Sequence, residues 1–326
     1  MIFALKRFLL YLVAFAVSII LNFLLPRLMP GDPVGTMFAR FRGRLSPEAM
    51  DALKQSLGYT EGSLTEQFSL YITHLFQGDL GLSIAYFPAP VSEVIFGGLW
   101  WTLWLAGLSV LLSFSVGTIL GIVVAWRRGS TLDQVLPPLF SFLGAFPYFW
   151  LAMILLWIFG FTLDWFPLRH AYGDDIEPEW SFLFIGDMFR HATLPALSIV
   201  LATLGGWLLS MRNTMVSVLG EEYIKLAHAK GLSSRRIMMN YAARNAILPN
   251  LTGFGMAIGF VVSGSLLTEI VFSYPGQGYL LVQAVRSQDY PLMQGLFLTI
   301  TLSVLLANWL IDLIYLVLDP RIRRSS

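Results

Sequence analysis

The sequence predicts an all-α polytopic membrane protein with six transmembrane helices and both termini in the cytoplasm. Three observations carry that expectation. Of the 326 residues, 56% are hydrophobic and only 13% are charged, with a mean hydropathy of +0.69. A soluble domain carries about a quarter charged residues, so this chain lacks the polar groups to cover a wet surface. Apolar stretches recur at about 8–26, 102–126, 136–160, 194–218, 249–272 and 292–318. Each matches the roughly 20 residues that a bilayer core demands of a helix, and in lipid each must be helical to satisfy its own backbone. The third observation is the placement of charge. With the N-terminus inside, the cytoplasmic side holds Lys6, Arg7, Arg127, Arg128, Arg212, Lys225, Lys230, Arg235, Arg236, Arg244, Arg321, Arg323 and Arg324, the larger share of the 21 basic residues. Most acids fall on the other side, so Lys/Arg bias sets the orientation.

The elements follow in order. The first stretch begins after Lys6 and Arg7 and runs into Leu25-Pro26-Arg27-Leu28 rather than a small-residue cleavage site. It reads as an uncleaved anchor. The outer segment 27–98 contains helix-like text: Ser46-Pro47-Glu48 has the pattern of an N-cap, a proline at N1 and an acid in the first turn, and a second helix runs near Thr65–Phe76. Trp100, Trp101 and Trp104 open the second span, where an interfacial aromatic belt accounts for them. Ser113, Gly117 and Gly121 form a small-residue ladder along it, and Gly255, Gly259 and Ser263 form another in the fifth span. Such ladders bring helices together in lipid, whether as static packing or as moving interfaces around a pore. Pro147 is expected to kink the third span. The outer loop after it, 161–193, is acidic, with Asp164, Asp174, Asp175, Glu177, Glu179 and Asp187 against Arg169 and Arg190.

Several chemistries are excluded. There is no cysteine, so neither a disulfide nor a thiolate site exists. The four histidines have no metal-ligand spacing, and neither HExxH nor GxSxG occurs. No lysine precedes Ser or Thr, which removes the Walker A phosphate loop. A net charge of +1 gives no reason to expect a nucleic-acid partner. The residues leave one informative segment, the inner loop 219–248. On a helical wheel, Tyr223, Ile224, Leu226 and Ala227 fall on one arc and Glu221, Glu222, Lys225 and His228 on the other. Gly231 is placed to terminate this helix. A second helix follows Ser233-Ser234, and Pro249 opens the fifth span. An amphipathic helix here has three readings: lying on lipid, connecting within its own bundle, or docking into another protein. Its mixed charge argues against lipid. Glu269, near the outer end of the fifth span, must face protein or water. It is either a pore or outer-gate residue, or an interfacial carboxylate tied to Tyr274 or to backbone N–H groups.

The loop text Tyr223-Ile224, Ala227-x-Ala229-Lys230-Gly231-Leu232, Arg235-Arg236 and Ala243-Arg244-Asn245-Ala246-x-Leu248-Pro249 resembles the coupling loop of ABC importer permeases. The match is to the dipeptide/oligopeptide/nickel branch, first-permease type. It continues through Pro30-Gly31-Asp32-Pro33, Gly78-Asp79-Leu80-Gly81, Leu194-Pro195-Ala196-Leu197, Glu269-x-x-Phe272-x-x-Pro275-Gly276-x-Gly278, Asp289-Tyr290-Pro291 and Asp319-Pro320-Arg321-Ile322. Lys225 stands where many relatives outside this branch have Glu.

The resemblance implies a type I importer permease. Its parts would be an N-terminal anchor helix (1–26), an extracytoplasmic segment (27–98), a core permease domain (99–318) and a cytoplasmic tail (319–326). It implies a coupling helix at 221–230, with Tyr223, Ile224, Leu226 and Ala227 as anchors in a cytoplasmic ATPase cleft. Lys225, Lys230 and Arg235 would form the polar rim, and small Ala227 and Ala229 beside Gly231 would permit close approach. Glu269, Pro147, Gly255 and Gly259 are the candidate pore or gate positions. The implied partners are a second homologous permease, two ATP-binding cassette ATPases, an extracytoplasmic solute-binding protein and membrane lipid. The chain itself would bind no cofactor and no metal and catalyse no reaction, with ATP and Mg on the ATPases. Short peptides are the expected solute, with oligosaccharides or nickel as alternatives in the same machinery. The rival classes are a stand-alone secondary transporter, which predicts inverted repeats and a midplane charged site, and a membrane-embedded enzyme, which predicts a catalytic pair on adjacent spans.

Overall fold

A computed structural model describes residues 2–28, 63–259, 261 and 265–318, with side chains over 9–25, 27–28, 63–258, 261 and 265–309. The expected helix after Ser46, the Pro30-Gly31-Asp32-Pro33 motif, the Ser263 rung and the tail 319–326 lie outside these residues. The helices in chain order are α1 (Ile2–Leu28), α2 (Leu64–Gln77), α3 (Val91–Trp126), α4 (Thr131–Gly144) and α5 (Tyr148–Leu155), which continues as wider π-helical turns over Leu156–Thr162. Then come α6 (Phe182–Leu219), α7 (Glu222–Ala229), a helical segment over 234–246 with π-helical turns at Ile237–Ala243, α8 (Leu248–Gly259), α9 (Leu266–Val271), α10 (Gln277–Arg286) and α11 (Tyr290–Leu318).

Three of these are long and apolar enough to cross a membrane: α3, α6 and the described part of α11, Tyr290–Trp309. At 36 and 38 residues, α3 and α6 extend about 54 and 57 Å at 1.5 Å per residue. Both therefore outrun a core of about 30 Å. A fourth crossing arises when α4 and the helix beginning at Tyr148 are counted as one. The expected third span is not a gently kinked rod: its two halves meet at 97°. Pro147 is the N-cap of the second half, in an extended conformation at ψ 134°, so the helix stops and restarts there. The expected fifth span, 249–272, is divided into α8 and α9 among the described residues. In α1 the apolar stretch runs Leu9–Leu25.

The chain divides into two compact units. One comprises residues 1–102 and 275–326. In it α1 packs along α11, and α10 packs against α11 as well. Val91 and Ile95 of α3, Leu280 and Ala284 of α10, and Leu292, Met293 and Leu296 of α11 form its core. At the C-terminal end of α1, Arg27 lies 3.7 Å over the Phe23 ring and donates to Gln67 Oε1 at 3.1 Å. That seats α2, whose start is fixed by a Ser63/Glu66 capping box. Asp289 closes this unit. Its carboxylate accepts from Ser83 Oγ at 2.5 Å, from Ala85 N–H at 2.9 Å and, as an N-cap for α11, from Leu292 N–H at 3.1 Å. Burial pushes the Asp289 carboxyl above its ordinary range, while these donors pull it back.

The other unit, 103–274, is built around α6, against which α4, α5, α8 and α9 all pack. Glycines permit the close approaches. A Cβ on Gly121 would sit 2.7 Å from the Leu208 carbonyl oxygen, and one on Gly117 would sit 2.9 Å from that of Leu204. A Cβ on Gly205 would meet the Phe140 carbonyl oxygen at 2.5 Å. The backbones of α3 and α4 thus rest directly on α6, the small-residue geometry that packs helices in lipid. The second predicted ladder differs: a Cβ on Gly255 would meet nothing within 4 Å, so that rung is not a close helix contact.

Candidate functional site

The loop 219–248 grows out of α6. The chain turns at Gly220 and Glu221 becomes the N-cap of α7, in an extended conformation. The helix runs eight residues and ends at Lys230. Gly231 then takes φ +70° with open space around it, a left-handed position that suits glycine.

The apolar arc of α7 faces two ways. Ile224 and Ala227 are each 2% exposed and sit in a core with Ile122 and Ala125 of α3, Met211 and Met215 of α6, and Ile237, Ala242, Ala243 and Ala246 of the following segment. They bind the helix to its own bundle, and the anchors expected for an outside cleft are reduced to the other two. Leu226 and Tyr223 stay outside, at 55% and 39% exposure. Lys225, Ala229, Lys230, Gly231 and Arg235 are exposed with them. The Tyr223 hydroxyl accepts from Asn245 Nδ2 at 3.2 Å, and Lys225 Nζ pairs with Glu222 at 2.8 Å. The His228 ring stacks on Trp126 at the end of α3, with centroids 6.5 Å apart. The result is a short helix held from behind, presenting a narrow apolar strip with cations beside it.

Two polar contacts that fix this platform were not singled out by sequence reasoning. Asn250, 1% exposed at the start of α8, donates through Nδ2 to Thr118 Oγ1 of α3 and to the Trp207 carbonyl of α6, both at 3.1 Å. It ties the return leg of the loop to the same two helices that hold α7. Its signal was a buried-type position occupied by an amide directly after Pro249. Arg212 Nε donates to Asp133 Oδ1 at 2.6 Å, and Gly129 N–H donates to the other carboxylate oxygen at 2.9 Å. Asp133 and Arg212 are far apart in sequence, and only the turn between α3 and α4 brings them together.

The candidate gate positions are scattered over the same unit. Pro147 heads α5, and α5 packs against α9, the helix that carries Glu269. Glu269 has no solvent exposure. Ser265 Oγ donates to its carboxylate at 2.6 Å, and its carbonyl accepts the Tyr274 N–H at 2.8 Å. The structure therefore joins Pro147 and Glu269 through neighbouring elements. Gly255 lies on α8 and Gly259 ends it, and Gly255 makes no close glycine approach there. No group of three or more His, Asp or Glu side chains among the described residues is arranged to hold a metal ion.

Apolar helices long enough to cross a membrane pack around a glycine-lined central helix, with a short helix held on the bundle yet exposed at its tip, an arrangement that suits a membrane-embedded component. Residues 117–324 match the family model of the binding-protein-dependent transport system inner membrane component, and the chain belongs to that family. It is similar to the di/tripeptide transport system permease protein DppB of Pseudomonas aeruginosa (strain UCBPP-PA14), 34% identical over 321 residues and 94% of each chain. It is also similar to the dipeptide transport system permease protein DppB of Escherichia coli (strain K12), 34% identical over 99% of each chain. A third relative, the glutathione transport system permease protein GsiC of Salmonella choleraesuis (strain SC-B67), is 34% identical over 98% of each chain.

Proposed function

We propose that this chain is one permease of an ATP-driven, binding-protein-dependent importer of short peptides in a bacterial inner membrane. It crosses the membrane six times with both termini in the cytoplasm and pairs with a second homologous permease around the path. Two ATP-binding cassette ATPases dock inside, carrying ATP and Mg, and an extracytoplasmic binding protein delivers the solute. The peptide assignment rests on relatives named for dipeptides, di/tripeptides and glutathione.

The observation that carries the mechanism is the two-faced α7. A contact that transmits force must be firm on one side and available on the other. Ile224 and Ala227 make it firm, and Tyr223, Leu226, Ala229 and Lys230 make it available. When the ATPases close on ATP, α7 moves with them. The shared core hands that displacement to α3 and α6 together, with Asn250 holding α8 to the same block. Lys225, Lys230 and Arg235 form a rim that sets partner choice and encounter rate more than affinity. The path opens outward as the contacts around α9 and Glu269 are released, and hydrolysis resets them.

The test is co-purification of the ATPases with the permease and peptide-stimulated ATP hydrolysis in lipid. Leu226→Asp is expected to lose both by at least tenfold while the permease itself keeps its thermal stability. If Leu226→Asp and a charge reversal of Lys230 both leave association intact, α7 is not the docking element.

A further inference from the structure

The loop between α5 and α6 borders an open hollow of about 330 Å³, lined by Asp164, Arg169, His170, Tyr172, Asp174 and His191 among others. Its volume falls at the lower end of the roughly 300–1,000 Å³ that small-molecule sites occupy. The frame around it is fixed by hydrogen bonds. Gly173 N–H donates to the Asp187 carboxylate at 2.6 Å, and His191 Nδ1 lies 3.0 Å from the Asp187 carbonyl oxygen and 3.2 Å from its carboxylate. His170 Nδ1 lies 3.1 Å from Asp174. The His170 N–H donates to the Phe272 carbonyl at 3.1 Å, which ties the rim to the C-terminal end of α9. Asp164 and His170 are held at φ 53° and 67°, a region that non-glycine residues occupy at a cost.

Within that frame two opposite charges stay uncommitted. Arg169 and Asp164 are exposed, and neither makes a side-chain hydrogen bond or ion pair among the described residues. Apolar wall comes from Phe166, Pro167 and Leu168. A guanidinium with a free fork matches a carboxylate. A free carboxylate matches an ammonium. Among the described residues no three-ligand metal cluster claims these acids.

We infer that this hollow binds a zwitterionic short peptide directly, its carboxylate on Arg169 and its ammonium on Asp164. It would be a first station on the permease, outside the path. This rests on the peptide reading above. Because the rim is bonded to α9, an occupant bears on the helix that carries Glu269.

The complete importer, reconstituted in lipid nanodiscs without its binding protein, is titrated calorimetrically with dialanine and with N-acetyl-dialanine amide. Dialanine is expected to bind saturably to the wild type, about tenfold more weakly to Arg169→Ala (about 1.4 kcal/mol), and with partial recovery in Arg169→Lys. The blocked peptide, with no terminal charges, is expected not to bind. Equal binding of dialanine by wild type and Arg169→Ala overturns the inference, as does the absence of saturable binding. Protection of 163–174 from hydrogen exchange by the binding protein alone also overturns it, since the occupant is then a protein surface. Dialanine uptake by proteoliposomes holding the wild-type importer and its binding protein separates the two claims. Uptake without direct binding removes the cavity site alone, whereas no uptake removes the peptide reading.

Discussion

Leu226 and Ala227 are neighbours in sequence and face opposite ways, so one substitution has two outcomes. Ala227→Asp places a charge in a core of alanines, methionines and isoleucines with no partner, at a cost of several kcal/mol. Its permease is expected to show a lowered melting temperature in detergent, whereas Leu226→Asp melts like the wild type. Asp289 gives a second residue-level test. Its folded pKa is raised, so its contribution to stability is fully present below the ordinary value of 3.8 and is lost as pH rises through the folded value. Melting temperature measured from pH 3 upward is expected to fall through that window in the wild type. In Asp289→Asn it is expected to be lower at the outset, because the amide nitrogen faces donors, and to lack the titration.

At the scale of the element, the glycines of α3 and the amide of α8 make different demands. Gly121→Leu forces a side chain into the Leu208 carbonyl and the Met211 Cβ, each 2.7 Å from where its own Cβ would stand. Backbone cannot yield there, and α3 must separate from α6. The variant is expected to lose folded permease altogether, read as loss of a monodisperse peak on size exclusion. Asn250→Leu keeps the volume and removes two interhelical hydrogen bonds. Such bonds in membranes average about 0.6 and reach about 1.7 kcal/mol, so the fold is expected to survive with a lowered melting temperature. On the function proposed above, what it loses is rigidity between α7 and α8, expected as a higher ratio of ATP hydrolysed to peptide moved.

These elements were unequally legible in the sequence. The apolar windows of α3 and α6 were plain, but their extra turns from Val91 and Phe182 were not. Hydropathy detects only the part that contacts lipid. The first ladder was found by its spacing, yet the same spacing at Gly255 meets open space, because periodicity names a face and not its neighbour. On α7 the wheel gave the apolar arc but could not divide it between inside and outside, since both halves are equally apolar. Pro147 announced a break in the third span. Its size, 97°, depends on how α4 and α5 each settle on α6.

For the whole molecule, orientation is open to a direct check that its composition favours. The natural chain has no cysteine, so a single introduced thiol is seen without background. Asp175→Cys is expected to react with an impermeant maleimide on intact spheroplasts. Lys225→Cys is expected to react only after the membrane is opened. Reversed accessibility would invert the topology and place α7 on the wrong side for an ATPase.

The split loyalties of α7 also bear on how such a subunit can be re-engineered. The residues that keep the helix on its bundle are not those that meet the outside. Exchanging Leu226, Ala229 and Lys230 for the side chains of another importer therefore leaves the core around Ile224 and Ala227 untouched, whereas Tyr223 also holds Asn245. On the function proposed above, a transport path could be handed to a different motor by a graft of three side chains, with no helix rebuilt.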